Sequence, residues 1–177
     1  MWDSFYNLLE RFATWPVVAL LFVLFLLCAQ GFEWRRKALG YENPGLDGRY
    51  WYSPDEARDF LRDIGERGRG IYATTELTLD ILFPLIYGTL FAALVIHVYA
   101  RENAKNLVLV PLLTAAADVL ENVTAAYLAW QFDGQPSPVA RGAAILTAVK
   151  SVLFVLSLIL IVVGALVALW RTSRSPA

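Results

Sequence analysis

Four ionisable side chains interrupt segments of the chain that are otherwise apolar. They are Asp80, Asp118, Glu121 and Lys150, and the polar residues near them in the sequence are Tyr87 and Asn122. An ionisable group at the centre of a membrane-spanning helix costs at least about 2.5–3.5 kcal/mol, so it usually faces the interior of a helix bundle and has a partner there. These residues are therefore the first candidates for a functional site.

Helix geometry places two of these charges at the same depth. Glu121 lies nine residues before the end of the third apolar segment, and Lys150 lies eight residues after the start of the fourth. At about 1.5 Å per residue, each is roughly 12–13 Å from the same membrane face. Asp118 lies one helical turn deeper, and Asp80 lies near that face. Polar stripes on three helices are therefore predicted to meet in one half of the bilayer.

The predicted cluster contains three carboxyl groups and one ammonium group. Adjacent carboxylates in a low dielectric cannot all stay ionised, so the cluster should hold a proton or bind a cation or an amine. We predict that Asp118 and Glu121 are the acid/base or cation-binding groups. The residues predicted to tune this pair or to line the mouth of the site are Asp80, Tyr87, Asn122 and Lys150. Pro84 also frees a backbone carbonyl near Asp80.

A purely structural interpretation stays open for each of these groups. Asp80 could lie at the membrane interface, and Lys150 could extend its ammonium to the headgroup region. Asp118, Glu121 and Lys150 could form a salt bridge that only fixes the helix register. Two carboxylates at Asp118-x-x-Glu121, without a histidine, are a weak metal motif, so we predict no metal ion and no cofactor.

The elements that must position these residues are transmembrane helices. The chain has 177 residues, of which 58% are hydrophobic and 18% charged, whereas soluble domains have about 25% charged residues. A transmembrane helix needs about 20 mostly apolar residues, and the segments that qualify are about 15–32, 77–100, 106–130 and 142–170. We predict an all-α integral membrane protein, a four-helix bundle forming a single membrane domain over residues 1–177. The net charge of −1 gives no reason to expect a nucleic-acid partner.

The first connection, residues 33–76, is predicted to be an extramembrane loop with an amphipathic helix over about 54–67. Ser53-Pro54-Asp55-Glu56 is a capping box, in which serine and glutamate each bond the other's backbone amide. An apolar stripe follows at helical spacing, formed by Ala57, Phe60, Leu61 and Ile64. We expect Gly65 and Gly68 to end this helix, which could cover a cavity or only shield loop backbone. The Arg35-Arg36-Lys37 run favours a cytoplasmic loop by the positive-inside rule.

In layout, the chain resembles the small four-helix membrane proteins of the sigma-2 receptor and sterol isomerase group. The likeness covers the total length, the long first connection, and the carboxylates Glu76 and Asp80 followed by Pro84 in the second span. Those proteins hold an amine or a carbocation between carboxylates in a cavity, and the resemblance implies a ligand of that kind. The first span here has no carboxylate, and the Asp118-x-x-Glu121-Asn122 run is not part of that pattern.

Three functions are compatible with these observations. The leading one is binding of an apolar or cationic small molecule, such as a lipid or a sterol-like compound, in an acidic intramembrane pocket that could support acid/base catalysis. The second is a proton- or cation-coupled transporter that acts as a homodimer. The third is an accessory or assembly subunit of a membrane complex, with a purely structural charge cluster. Whether the protein is an enzyme stays open.

Overall fold

The computed structural model of the protein describes residues 2–40, 45–99 and 101–174. The helices, in chain order, are α1 (Trp2–Phe12), α2 (Trp15–Leu39), α3 (Pro54–Asp63), α4 (Gly65–Leu77), α5 (Leu79–Val98), α6 (Arg101–Leu107), α7 (Leu109–Trp130) and α8 (Val139–Arg174). No strand occurs among the described residues, in agreement with the predicted all-α class.

Four stretches of these helices are long and apolar enough to cross a membrane. They are Trp15–Leu39, Gly65–Val98, Asn103–Trp130 and Val139–Ser173, which agrees with the prediction of a four-span membrane protein. Large apolar side chains cover the outside, among them Phe22 on α2 and Leu166 on α8. The buried polar residues are Glu76, Asp80, Thr114, Asp118, Glu121, Asn122, Thr147 and Ser157. A polar interior behind an apolar exterior is the arrangement that a bilayer favours.

The helices extend further than predicted on the side of the first loop. The first span was expected to end near residue 32, but α2 continues to Leu39, and α4 and α5 make a nearly continuous helical stretch from Gly65. Most of residues 33–76 is therefore helical rather than loop. The extensions carry Arg35 and Glu76, which pair with each other. Their charges are neutralised inside the bundle, so they do not mark the ends of the spans.

α3 begins at the predicted capping box. The Glu56 amide donates to the Ser53 hydroxyl at 3.2 Å, and the Ser53 amide donates to the Glu56 carboxylate at 2.7 Å. α3 ends at Asp63, before the predicted boundary, because Gly65 adopts a φ of +67° and redirects the chain into α4. The prediction that Gly68 ends a helix is wrong, because Gly68 lies within α4.

The centre of the bundle is α7, which packs against α4, α5 and α8. Its contact with α5 is close at Gly88, where an added Cβ would lie 2.7 Å from the Ala115 Cβ. The contact with α8 is lined by alanines: Ala125, Ala126 and Ala129 on α7, and Ala140, Ala143 and Ala144 on α8. Small side chains let the helices approach closely, so the polar groups of one helix reach the next.

α1 was not expected from the sequence. Tyr6 is buried in the cluster formed by Ala92, Val95, Ala104 and Val108, and this contact anchors α1 to the bundle. An 11-residue helix is too short to register in a search for spans of about 20 apolar residues.

Candidate functional site

Lys150 holds the two carboxylates that the sequence placed beside it. Its ammonium donates to Asp118 Oδ1 at 2.8 Å and to Glu121 Oε2 at 2.6 Å. The remaining oxygens are also occupied, because Tyr87 OH donates to Asp118 Oδ2 at 2.8 Å and Thr147 Oγ1 to Glu121 Oε1 at 2.9 Å. We call these five residues the Lys150 cluster. It joins α5, α7 and α8.

Helical spacing explains this arrangement. Asp118 and Glu121 are three residues apart, as are Thr147 and Lys150, so each pair shares one face of its helix. The side chain of Glu121 is fully buried, and only 13% of the Lys150 side chain is exposed. The structure thus brings together Asp118, Glu121, Lys150 and Tyr87, four of the six residues predicted to form the site.

Asn122 and Asp80 meet through the backbone. In a regular helix the Asp80 carbonyl would accept from the amide of the residue four positions later, but that residue is Pro84, which has no N–H. The side-chain amide of Asn122 on α7 donates to this carbonyl instead. As expected from Pro84, the Asp80 carbonyl accepts no bond from the residue four positions later in its own helix. It accepts a hydrogen bond from Asn122 on the neighbouring helix instead.

A second charged cluster surrounds Arg35. The guanidinium pairs with Asp47 at 2.6 Å, Glu76 at 2.8 Å and Asp80 at 3.3 Å, and only 9% of the Arg35 side chain is exposed. We call these four residues the Arg35 cluster. It ties α2 to α4, to α5 and to the segment after α2. The hydroxyl of Tyr72 adds a long contact of 3.5 Å to Asp47 Oδ1.

The Arg35 cluster corrects two sequence interpretations. Arg35 was taken as part of a basic run that marks membrane orientation, but it points into the bundle. The predicted balance of three carboxyl groups against one ammonium was also incomplete, because Arg35 adds a cation while Asp47 and Glu76 add two acids. The signal that could have found this site is the spacing of Glu76 and Asp80, one turn apart. Asp47 gave no such signal, because only the fold of the first connection brings it to Arg35.

Two titratable groups outside the spanning helices, Asp47 and Tyr52, have pKa values shifted by burial and by nearby charges. Burial works against the charged form of Asp47, but the Arg35 guanidinium, the Lys150 ammonium and the hydrogen bonds to the carboxylate together outweigh burial and hold the pKa of that carboxyl below its usual value. Burial raises the pKa of the Tyr52 hydroxyl, and the nearby Glu121 carboxylate raises it further. Tyr52, fully buried, therefore stays a neutral hydroxyl beside the Lys150 cluster.

A cleft of about 420 Å³ opens beside the Lys150 cluster. Its walls carry Tyr50, Phe83, Tyr87, Asp118, Lys150, Ser151, Phe154, Val155 and Leu158. One possibility left open by the sequence was a cavity bounded by Asp80, Asp118, Glu121 and Lys150 beneath the first-loop helix. Of these four residues, Asp118 and Lys150 line the cleft and the other two do not. On the side of the first loop the cleft is bordered by Tyr50 and not by α3. Glu121 and Asp80 are covered because α7 packs tightly on α8 and α5.

The cleft has an aromatic wall. The Tyr87 and Phe154 rings meet edge to face at 5.3 Å, and Phe83 packs on Tyr87 at 5.2 Å. Tyr50, Ser151 and Val155 also border an adjoining apolar groove of about 320 Å³. The cleft and the groove together form a long apolar surface, with the Asp118–Lys150 pair at one side. Pockets for small molecules typically measure about 300–1,000 Å³ and combine apolar walls with few polar groups.

Comparison with known proteins gives no relative from which a function could be transferred. No protein-family model, curated protein sequence or solved structure matches this chain. The likeness to the sigma-2 receptor and sterol isomerase group therefore stays one of layout, and the candidate function depends on the geometry of the two clusters and the cleft.

Proposed function

We propose that this integral membrane protein binds an amphiphilic small molecule, with a cationic amine at one end, in the cleft beside the Lys150 cluster. The observation that carries the proposal is the combination of an aromatic cleft of about 420 Å³ with the Asp118–Lys150 pair in its wall. A lipid-like or sterol-like amine fits this surface, because its apolar part can contact the aromatic rings while its charge approaches Asp118.

The pairing of Lys150 supports an amine ligand. Lys150 contacts Glu121 at 2.6 Å as well as Asp118 at 2.8 Å. A ligand amine can therefore replace Lys150 at Asp118, while Lys150 keeps its partner in Glu121. The exchange leaves no charge unpaired, which matters because an unpaired buried charge costs about 3–5 kcal/mol. Aromatic faces such as Phe154 add cation–π attraction for an amine close to the ring.

The proposal includes how the protein lies in the membrane. We place the carboxylates of the Lys150 cluster within the bilayer, and we place α3 at the membrane surface with its apolar face on the bundle. The exposed Arg36 and Lys37 favour the cytoplasmic side for this end of the bundle. Acid/base catalysis by Asp118 or Glu121 stays a prediction, as does transport by a dimer.

The test is binding of dodecylamine to the purified protein in lipid nanodiscs, with dodecanol and dodecanoate as neutral and anionic comparisons. We expect dodecylamine to bind most tightly. Asp118→Asn should weaken the binding of dodecylamine at least tenfold, or about 1.4 kcal/mol. Phe154→Ala should weaken the binding of all three probes. Asp133→Asn, in the exposed turn after α7, is the matched control. Equal affinity for the three probes, or an unchanged affinity in Asp118→Asn, would contradict the proposal.

One observation favours the accessory-subunit alternative. All four carboxylate oxygens of Asp118 and Glu121 have hydrogen-bond partners, as a purely structural cluster requires. That interpretation predicts that Lys150→Met and Glu121→Gln each destabilise the protein, that the double variant recovers much of the loss, and that no variant changes probe binding. Unfolding curves measured beside the binding assay separate the two functions.

A further inference from the structure

The Arg35 cluster carries more negative than positive charge. Three carboxylates face one guanidinium, which leaves an excess of two negative charges when all are ionised. Each acid gives one oxygen to Arg35, namely Asp47 Oδ2, Glu76 Oε1 and Asp80 Oδ2. Asp47 Oδ1 also accepts the long contact from the Tyr72 hydroxyl, whereas Glu76 Oε2 has no partner among the described residues. Uncompensated charge in a protein interior is costly, so the excess needs a counter-charge.

Two fully buried oxygen atoms beside this cluster have no hydrogen-bond partner in the part of the chain that the structure describes. They are Glu76 Oε2 and Asn122 Oδ1. The Asn122 amide lies beside Asp80, because its nitrogen donates to the Asp80 carbonyl. Its orientation follows from this bond, since the reversed amide would set its oxygen against that carbonyl. An amide oxygen accepts only, and so does a carboxylate oxygen when the group is ionised, so a cation or a hydrogen-bond donor would satisfy both atoms.

We propose that the three carboxylates of the Arg35 cluster and the side-chain oxygen of Asn122 form a binding site for a calcium ion, with the Arg35 guanidinium keeping its bonds to the other carboxylate oxygens. The oxygen ligands are the hard donors that Ca²⁺ prefers. One oxygen from each of Asp47, Glu76 and Asp80 lies within 4.8 Å of the others. Ca²⁺–oxygen distances of about 2.3–2.6 Å set ligands on opposite sides of the ion about 5 Å apart, whereas Mg²⁺ requires a tighter set near 2.0–2.1 Å. The double charge of Ca²⁺ also cancels the excess of two.

The structure provides a route to this site. Arg35 and Asp47 line a cavity of about 260 Å³ between the end of α2 and the segment after α2. The cavity is separate from the cleft beside the Lys150 cluster, and the two share no lining residue. Calcium binding can therefore be measured without the proposed amine ligand present. Because the ligands come from α4, α5, α7 and the segment after α2, the ion would hold these elements together.

The wild-type protein can be tested first with terbium as the probe. The Tyr72 hydroxyl lies 3.5 Å from Asp47 Oδ1, so its ring can transfer excitation to Tb³⁺ bound at the cluster. We expect tyrosine-sensitised Tb³⁺ luminescence from protein purified with EGTA, and we expect Ca²⁺ to quench it by displacement at much lower concentration than Mg²⁺. Absence of a signal that Ca²⁺ reverses would overturn the proposal without requiring any variant to fold.

Variants then locate the site. Glu76→Gln should weaken Ca²⁺ binding at least tenfold, and Asp47→Asn, at the edge of the cluster, provides a second variant if Glu76→Gln does not fold. Glu66→Gln, an exposed acid on the same helix, should bind Ca²⁺ as the wild type does. Affinity within twofold of wild type in a folded Glu76→Gln or Asp47→Asn variant would refute the assignment. So would stabilisation by acid without Ca²⁺ binding, which would assign the counter-charge to a proton.

Discussion

The bond between Asn122 and the Asp80 carbonyl can be tested by a double-mutant cycle with Pro84. Asn122 is fully buried and Asp80 is 4% exposed, so water cannot replace the bond. Asn122→Leu keeps the side-chain volume but leaves a buried carbonyl unpaired, which costs about 1–3 kcal/mol. We expect Asn122→Leu to lower the free energy of unfolding by about 2 kcal/mol.

Pro84→Ala changes that expectation because alanine restores the missing backbone N–H. The Asp80 carbonyl can then bond within its own helix, and the side-chain amide becomes less necessary. Buried side-chain hydrogen bonds in a membrane protein average about 0.6 kcal/mol in such cycles and reach about 1.7 kcal/mol. We expect a coupling near 1 kcal/mol, above the average, because Pro84 leaves this acceptor no alternative.

The measurement is reversible unfolding of the four proteins in mixed micelles, followed by circular dichroism, with EGTA present to exclude metal effects. Pro111→Ala combined with Asn122→Leu is the matched control, because Pro111 lies three turns away on α7 and its effect should be additive. A coupling between Pro84 and Asn122 within about 0.4 kcal/mol of zero would show that the two residues act independently. The explanation of the α5–α7 contact would then be wrong.

Two further predictions concern helix packing and acid sensitivity. Gly88→Val should destabilise the bundle by about 1–3 kcal/mol, because an added Cβ would lie 2.7 Å from the Ala115 Cβ. Gly70 lies within α4, and a Cβ added there would meet no atom of another element within 4 Å, so Gly70→Ala should raise the free energy of unfolding by up to about 1 kcal/mol in the same assay. Asp47 has a pKa below its ordinary value of 3.8, so its contribution to stability is present above that pH and lost as the pH falls through the lowered pKa. Asp47→Asn should therefore flatten this part of the acid-unfolding curve, and an unchanged curve would contradict the Arg35 pairing.

The sequence by itself determined the helical class and predicted that Lys150 lies beside Asp118 and Glu121. Four apolar stretches about 20 residues long have few alternatives to membrane-spanning helices, because length and hydropathy act locally. The meeting of Glu121 with Lys150 followed from equal depth on consecutive helices with a short connection. The free carbonyl before Pro84 followed from the covalent structure of proline.

Only the tertiary structure decided what surrounds those groups. In the sequence, Arg35 looks like an ordinary basic residue that follows a span. Its side chain points into the bundle because α2 continues to Leu39 and packs beside α4. Asp47 reaches the same cluster through a connection whose path no periodicity encodes. The cleft lies beside Asp118 and not beside Glu121, because the alanines between α7 and α8 close one side of the polar stripe and the aromatic residues of α5 and α8 leave the other side open. Local patterns specify elements and shared faces, whereas distances across the bundle depend on how side chains of different size pack.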